Sequence, residues 1–275
     1  MLGKLMKYEW KATSRIFLPL YVAMLVVTII NGFFLRTDNV KEGFLPWMKM
    51  ITMGVYVAII IATIVMSVII MLQRYYKNIL GAEGYLMNTL PVKGSQHIIS
   101  KGIVSTLWII GSTILIVITI PLIMVIIDPV GVGDVFRQMF READWETFNQ
   151  LVGVGNMIGY LIELFFIALL GTFAFCIKTY AAMSLGHLIA RYRLLSSIGF
   201  YILFDTIEMV LFSICGVLFG TKFVLFMEQL EPTTQQEGLM WLHGILIVVM
   251  IYPIIQSIVY FFITKYVLEN KLNLE

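Results

Sequence analysis

Charge is what this sequence has least of. Asp, Glu, Lys and Arg make up 13% of its 275 residues, about half their share in a soluble protein. Hydrophobic residues make up 60%, and mean hydropathy is +0.91. A soluble fold cannot bury that much apolar surface and stay dispersed. A soluble enzyme, a disordered chain and a nucleic-acid binder are therefore excluded. The net charge of +2 points to no polyanionic partner. Cysteine is almost absent. Cys176 and Cys215 both sit in apolar runs, so no disulfide framework is implied and both read as small buried hydrophobes.

Catalytic motifs are missing too. The chain has no G-x-x-x-x-G-K-[ST] run to cradle nucleotide phosphates and no LSGGQ-like ATPase signature. It has no H-E-x-x-H and no G-x-S-x-G. His97, His187 and His243 stand apart in sequence, so no metal site is expected. The chain reads as a non-enzyme with no cofactor of its own.

Long apolar runs are what it has instead. A helix needs about 20 mostly apolar residues to cross the hydrocarbon core. Six stretches qualify: 16–35, 47–72, 103–127, 151–177, 198–219 and 241–267. Barrel strands would be short and alternating, so a β-barrel is excluded. The expected fold is an all-α membrane protein, one transmembrane domain over 1–275. The first run is too long for a signal-peptide h-region and no small-residue cleavage site follows it, so it reads as a permanent span.

Lys and Arg set the direction. Lys4, Lys7, Lys11 and Arg15 precede the first span, and Arg74, Lys77, Lys93 and Lys101 lie between the second and third. Lys178, Arg191 and Arg193 follow the fourth, and Lys265 and Lys271 end the chain. The opposite side holds only Arg36, Lys41, Lys49, Arg137, Arg141 and Lys222, with acids such as Asp128, Asp134 and Glu142. Both termini are therefore expected in the cytosol, in agreement with an even number of spans.

Residues 1–15 carry a helical pattern. Lys4, Lys7, Lys11 and Arg15 share one face, and Leu2, Leu5, Met6 and Trp10 lie mainly on another. Such a segment fits an interfacial elbow helix touching membrane lipids; a plain topogenic flank is the alternative. Pro19, Pro121 and Pro253 fall inside spans, as hinges or as plain shape. Residues 128–150 allow a small helix with Phe136, Met139, Phe140 and Ala143 on one side.

The segment 73–101, between the second and third spans, places Leu86, Met87, Leu90 and Val92 where water is expected. Apolar residues rimmed by polar ones suit a docking surface or packing against the protein's own helices. Pro91 and Gly94 break the segment.

Three acids lie inside spans: Glu163, Asp205 and Glu208. A charge at the bilayer centre costs at least about 2.5–3.5 kcal/mol, and Glu163 and Asp205 fall near the midplane at about 1.5 Å per residue. Gly155, Gly159 and Glu163 form one stripe; Glu208, Phe212, Gly216 and Gly220 form another. Small residues four apart let helices approach closely, so the acids are expected to face helices or a cavity. They suit protonated interhelical hydrogen bonds, a polar lining for cationic or amphipathic cargo, or a proton relay.

Residues 81–91 read GAEGYLMNTLP, followed by Gln96 and the Ser100–Lys101 pair. This resembles the GxEGYLxxTLPV segment of type-2 ABC exporter permeases of Gram-positive bacteria. The opening KYEWKATSRIFLPLY, the junction YAAMSLGH at 180–187 and the tail TKYVLENKLNLE resemble the same family. Position 82 is Ala where members often carry an acid.

The resemblance implies the type-2 ABC exporter permease fold and a coupling helix that docks on a separate ATPase. Glu83, Gly84, Tyr85, Leu86, Thr89, Leu90 and Pro91 would transmit its motion. It implies two ATPase subunits holding ATP and Mg, a second permease copy in a homodimer, and a bacterial cytoplasmic membrane. The implied cargo is an amphipathic peptide such as a toxin or antimicrobial peptide, as in exporters of phenol-soluble modulins, with lipid or drug less favoured. The rival expectation is an ion-coupled secondary transporter working through Glu163, Asp205 and Glu208.

Overall fold

Apolar runs of Ile, Leu, Val and Met leave the backbone no water to bond, so each must satisfy its own amides and carbonyls by forming a helix. The structure, a computed structural model, describes residues 2–36, 44–81, 84, 92–142, 152–189, 191–229 and 235–271. Every element among them is helical: α1 (Leu2–Arg36), α2 (Phe44–Tyr75), a π-turn (Tyr76–Leu80), α3 (Gly94–Ile127), α4 (Pro129–Glu142), α5 (Val154–His187), α6 (Arg193–Gln229) and α7 (Gln235–Asn270). Six helices are long and apolar enough to cross a membrane. The described part of the chain is all-helical, as in a multi-pass membrane protein. Many hydroxyl side chains among the described residues bond back into their own helices. Thr28 donates to the Met24 carbonyl at 2.8 Å and Ser67 to the Thr63 carbonyl at 2.7 Å.

The chain divides into two compact units, Met1–Gln73 with Ile103–Trp145, and Arg74–Gly102 with Glu146–Glu275. The core of the first contains Phe17, Ile70, Val104 and Trp108. The Trp108 indole lies between Phe17 and Trp10, with ring centroids 4.5 Å away on each side. Its N–H donates to Thr13 Oγ1 at 2.7 Å, which satisfies the one polar atom of the ring. Farther along the unit, Tyr56 donates to Thr119 Oγ1 at 3.0 Å, and Asn31 donates to the Thr52 carbonyl. Gly32 lets α1 lie close to α3: a methyl group there would meet Ile126 Cγ2 at 2.6 Å. α4 starts where Asp128 Oδ1 accepts the Gly131 amide at 2.8 Å, with Pro129 in the first helical position. Its Phe136, Met139 and Phe140 are exposed. Ala143, expected on the same side, lies outside the described residues.

Residues 2–15 are continuous with the first span and do not form a separate element. α1 runs unbroken from Leu2 to Arg36, and Met6 and Trp10 pack towards Trp108. No glycine or proline stands between Lys4 and Leu18, so no local breaker separates the basic stretch from the first span. Cys215 is exposed on α6 rather than buried; Cys176 is buried as expected.

In the second unit α5 packs against both α6 and α7. Its C-terminal half is the buried part, including every residue from Cys176 to Ser184. α5 begins after Gly153, whose φ of 72° is a left-handed conformation that glycine adopts without penalty. It ends beside the start of α6. A methyl group on Gly186 would sit 2.6 Å from the Ser197 Cα, so the two backbones meet there only because position 186 has no side chain.

Candidate functional site

Asp205 and Glu208 are three residues apart on α6 and project from one face. Lys178 of α5 reaches both. Its Nζ lies 2.5 Å from Asp205 Oδ1 and 2.6 Å from Glu208 Oε2. The lysine is buried, with 4% of its side chain exposed, while Asp205 keeps 54% and Glu208 20%. A buried ammonium is tolerated only when paired, and two carboxylates pair this one.

Glu208 is saturated from α7 as well. Its Oε1 accepts from Tyr260 at 2.5 Å and from Gln256 at 2.9 Å, and its Oε2 accepts from Tyr252 at 3.2 Å. The rings of Tyr201 and Tyr260 lie 5.2 and 5.8 Å from the Lys178 ammonium, within reach of a cation–π contribution. Asp205 differs from Glu208. Its Oδ1 takes the lysine, and its Oδ2 has no hydrogen-bond partner among the described residues. It borders a cavity of 340 Å³ together with Glu208, Met209, Phe212 and Tyr252. With both carboxylates ionised, the triad carries one negative charge more than positive.

Glu163 belongs to a different constellation. Its Oε1 lies 2.8 Å from His243 Nδ1 on α7, and its buried Oε2 has no partner among the described residues. Tyr160 stacks on the imidazole at 4.1 Å and donates to the Leu239 carbonyl at 3.0 Å. Gly159 makes room for the ring, since a methyl group there would lie 3.1 Å from His243 Cε1. The three acids expected to line one pathway thus have two separate partner sets.

The glycine stripes behave unequally. Gly159 faces His243, whereas a methyl group built at Gly155, Gly216 or Gly220 would meet nothing within 4 Å beyond its own stretch of helix among the described residues. Of the segment expected to dock an ATPase, Glu83, Tyr85, Leu86, Thr89, Leu90 and Pro91 lie outside the described residues. Gly84 is buried, and its amide donates to the Gly81 carbonyl at 2.8 Å.

Lys178 is the residue that sequence reasoning misplaced, by counting it with a cytosolic loop. The helix continues to His187, so position 178 is inside α5. Tyr252, Gln256, Tyr260 and His243 were not singled out as partners of the acids either. A signal existed for Lys178 alone: two intramembrane acids on one face need a counter-charge, and Lys178 borders the fourth apolar run.

No protein-family model, curated protein or solved structure matches this chain.

Proposed function

We propose that this chain is the membrane-spanning subunit of an ATP-driven exporter of the type-2 ABC kind. Two copies form a homodimer in a bacterial cytoplasmic membrane, with both termini in the cytosol and two separate ATPase subunits below. The cargo class that suits it is an amphipathic peptide. The observation that carries this reading is the segment GAEGYLMNTLP at 81–91, set between the second and third of six apolar helices. Apolar residues beside an acid at that place in the sequence suit docking on a partner. The ion network on α5, α6 and α7 supports a polar route through the bundle.

The test is a double substitution, Tyr85→Asp with Leu86→Asp, in the full chain. Loss of ATPase recruitment from the cell extract, or of ATPase stimulation, is expected. Unchanged recruitment and stimulation overturn the proposal. The paired Glu163 and His243 favour a second reading, an ion-coupled secondary transporter. Uptake into sealed vesicles driven by an ion gradient without ATP would support that reading instead.

A further inference from the structure

The end of α2 and the third turn of α3, on either side of residues 76–93, grip the same stretch of α5. On one side Tyr75, the last residue of α2, lies flat on Tyr180. The ring centroids are 4.0 Å apart, the planes differ by 5°, and neither residue is exposed. The Tyr75 hydroxyl lies 2.7 Å from that of Ser184. On the other side Gly102 of α3 approaches α5 so closely that a methyl group there would lie 2.9 Å from both Ile177 Cδ1 and Phe173 Cε2. Phe173, Ile177, Tyr180 and Ser184 follow helical spacing and form one face of α5. Lys178 leaves the same stretch in another direction, towards α6.

We propose that this half of α5 is a transmission rod. Displacement of the end of α2 and of the first turns of α3 moves α5, and Lys178 carries that movement to Asp205 and Glu208, changing how Asp205 faces the 340 Å³ cavity. Tyr75, Gly102 and Lys178 are positioning residues in this device. Packed aromatic rings and a side-chain-free helix contact leave no gap to absorb a shift. A helix rises about 1.5 Å per residue, so Ile177 and Lys178 cannot move independently. Contacts of 2.5 and 2.6 Å from Lys178 then either drag the carboxylates or break. Under the exporter reading, on which this proposal rests for its driving force, the ATPase supplies the displacement.

The test uses the full chain in nanodiscs with its ATPase. Cys215→Ser removes the exposed thiol, and Met209→Cys, labelled with an environment-sensitive fluorophore, reports on the cavity wall. Gly102→Val and Tyr75→Leu are each expected to change the quenching constant of the label by about twofold or more, the low end of coupling through packed networks. Gly102→Ala and Tyr75→Phe are the milder variants should the first pair fail to fold, with smaller changes in the same direction. In a chain carrying Lys178→Met, Asp205→Asn and Glu208→Gln the effect is expected to vanish.

A label that does not respond to the α2 and α3 variants overturns the proposal. So does an equal response with and without the ion triad, because α5 would then act without Lys178. Nucleotide added to the complex separates the two readings. If the variants move the label and ATP does not, the rod stands and the exporter reading fails. If ATP moves the label and the variants do not, the rod fails alone.

Discussion

Lys178 is the residue on which the second unit turns. Its ammonium is the counter-charge for Asp205 and Glu208, and its removal would leave two carboxylates with no cation beside them and only the neutral donors of α7 on Glu208. Breaking a buried pair from one side costs about 3–5 kcal/mol, whereas replacing the whole set by neutral groups is often far cheaper. Lys178→Met is therefore expected to lower the thermal midpoint in detergent strongly. Adding Asp205→Asn and Glu208→Gln to it should recover most of the loss. A triple variant no more stable than the single one would refute the pairing. The acids were visible in the sequence by their scarcity. Their α7 partners were not, because Tyr252, Gln256 and Tyr260 lie 44 to 52 residues from Glu208 along the chain.

At the scale of the helix, glycine stripes have two meanings that spacing cannot separate. Gly159 is a close-approach position: the imidazole of His243 occupies the space beside it. Gly216 is open in the single chain. Gly159→Val is expected to cost about 1–3 kcal/mol of stability by overpacking, read as a lower melting midpoint in detergent. Gly216→Val should leave that midpoint in place. Under the homodimer reading it should instead weaken chemical crosslinking between copies in membranes; unchanged crosslinking removes α6 from that interface.

Helix ends were also less legible than helix centres. Hydropathy locates the stretch that needs hydrocarbon, but nothing stops a helix at the bilayer edge unless a glycine or proline turn follows. So α5 continues to His187 and brings Lys178 with it, and α1 starts at Leu2. The start of α4 was legible because an Asp–Pro pair is a local capping signal.

For the molecule as a whole, the spread of Lys and Arg predicts its direction in the membrane. In intact cells, a cysteine replacing Asp134 should react with a membrane-impermeant maleimide, with Cys215→Ser as background. A cysteine replacing Lys4 should react only after the membrane is opened. The reverse pattern would overturn the orientation.

Composition by itself determined the class of this protein. So apolar a chain has no soluble solution, and six runs of that length have no other backbone than helix. It also determined that the three acids must be sheltered, because an ionised group facing hydrocarbon is too costly. Only the tertiary structure decided what shelters them. Glu163 was given a histidine, and Asp205 and Glu208 were given a lysine and the tyrosines of α7. Hydropathy is a sum over neighbours in sequence, whereas an ion pair depends on which faces of distant helices meet.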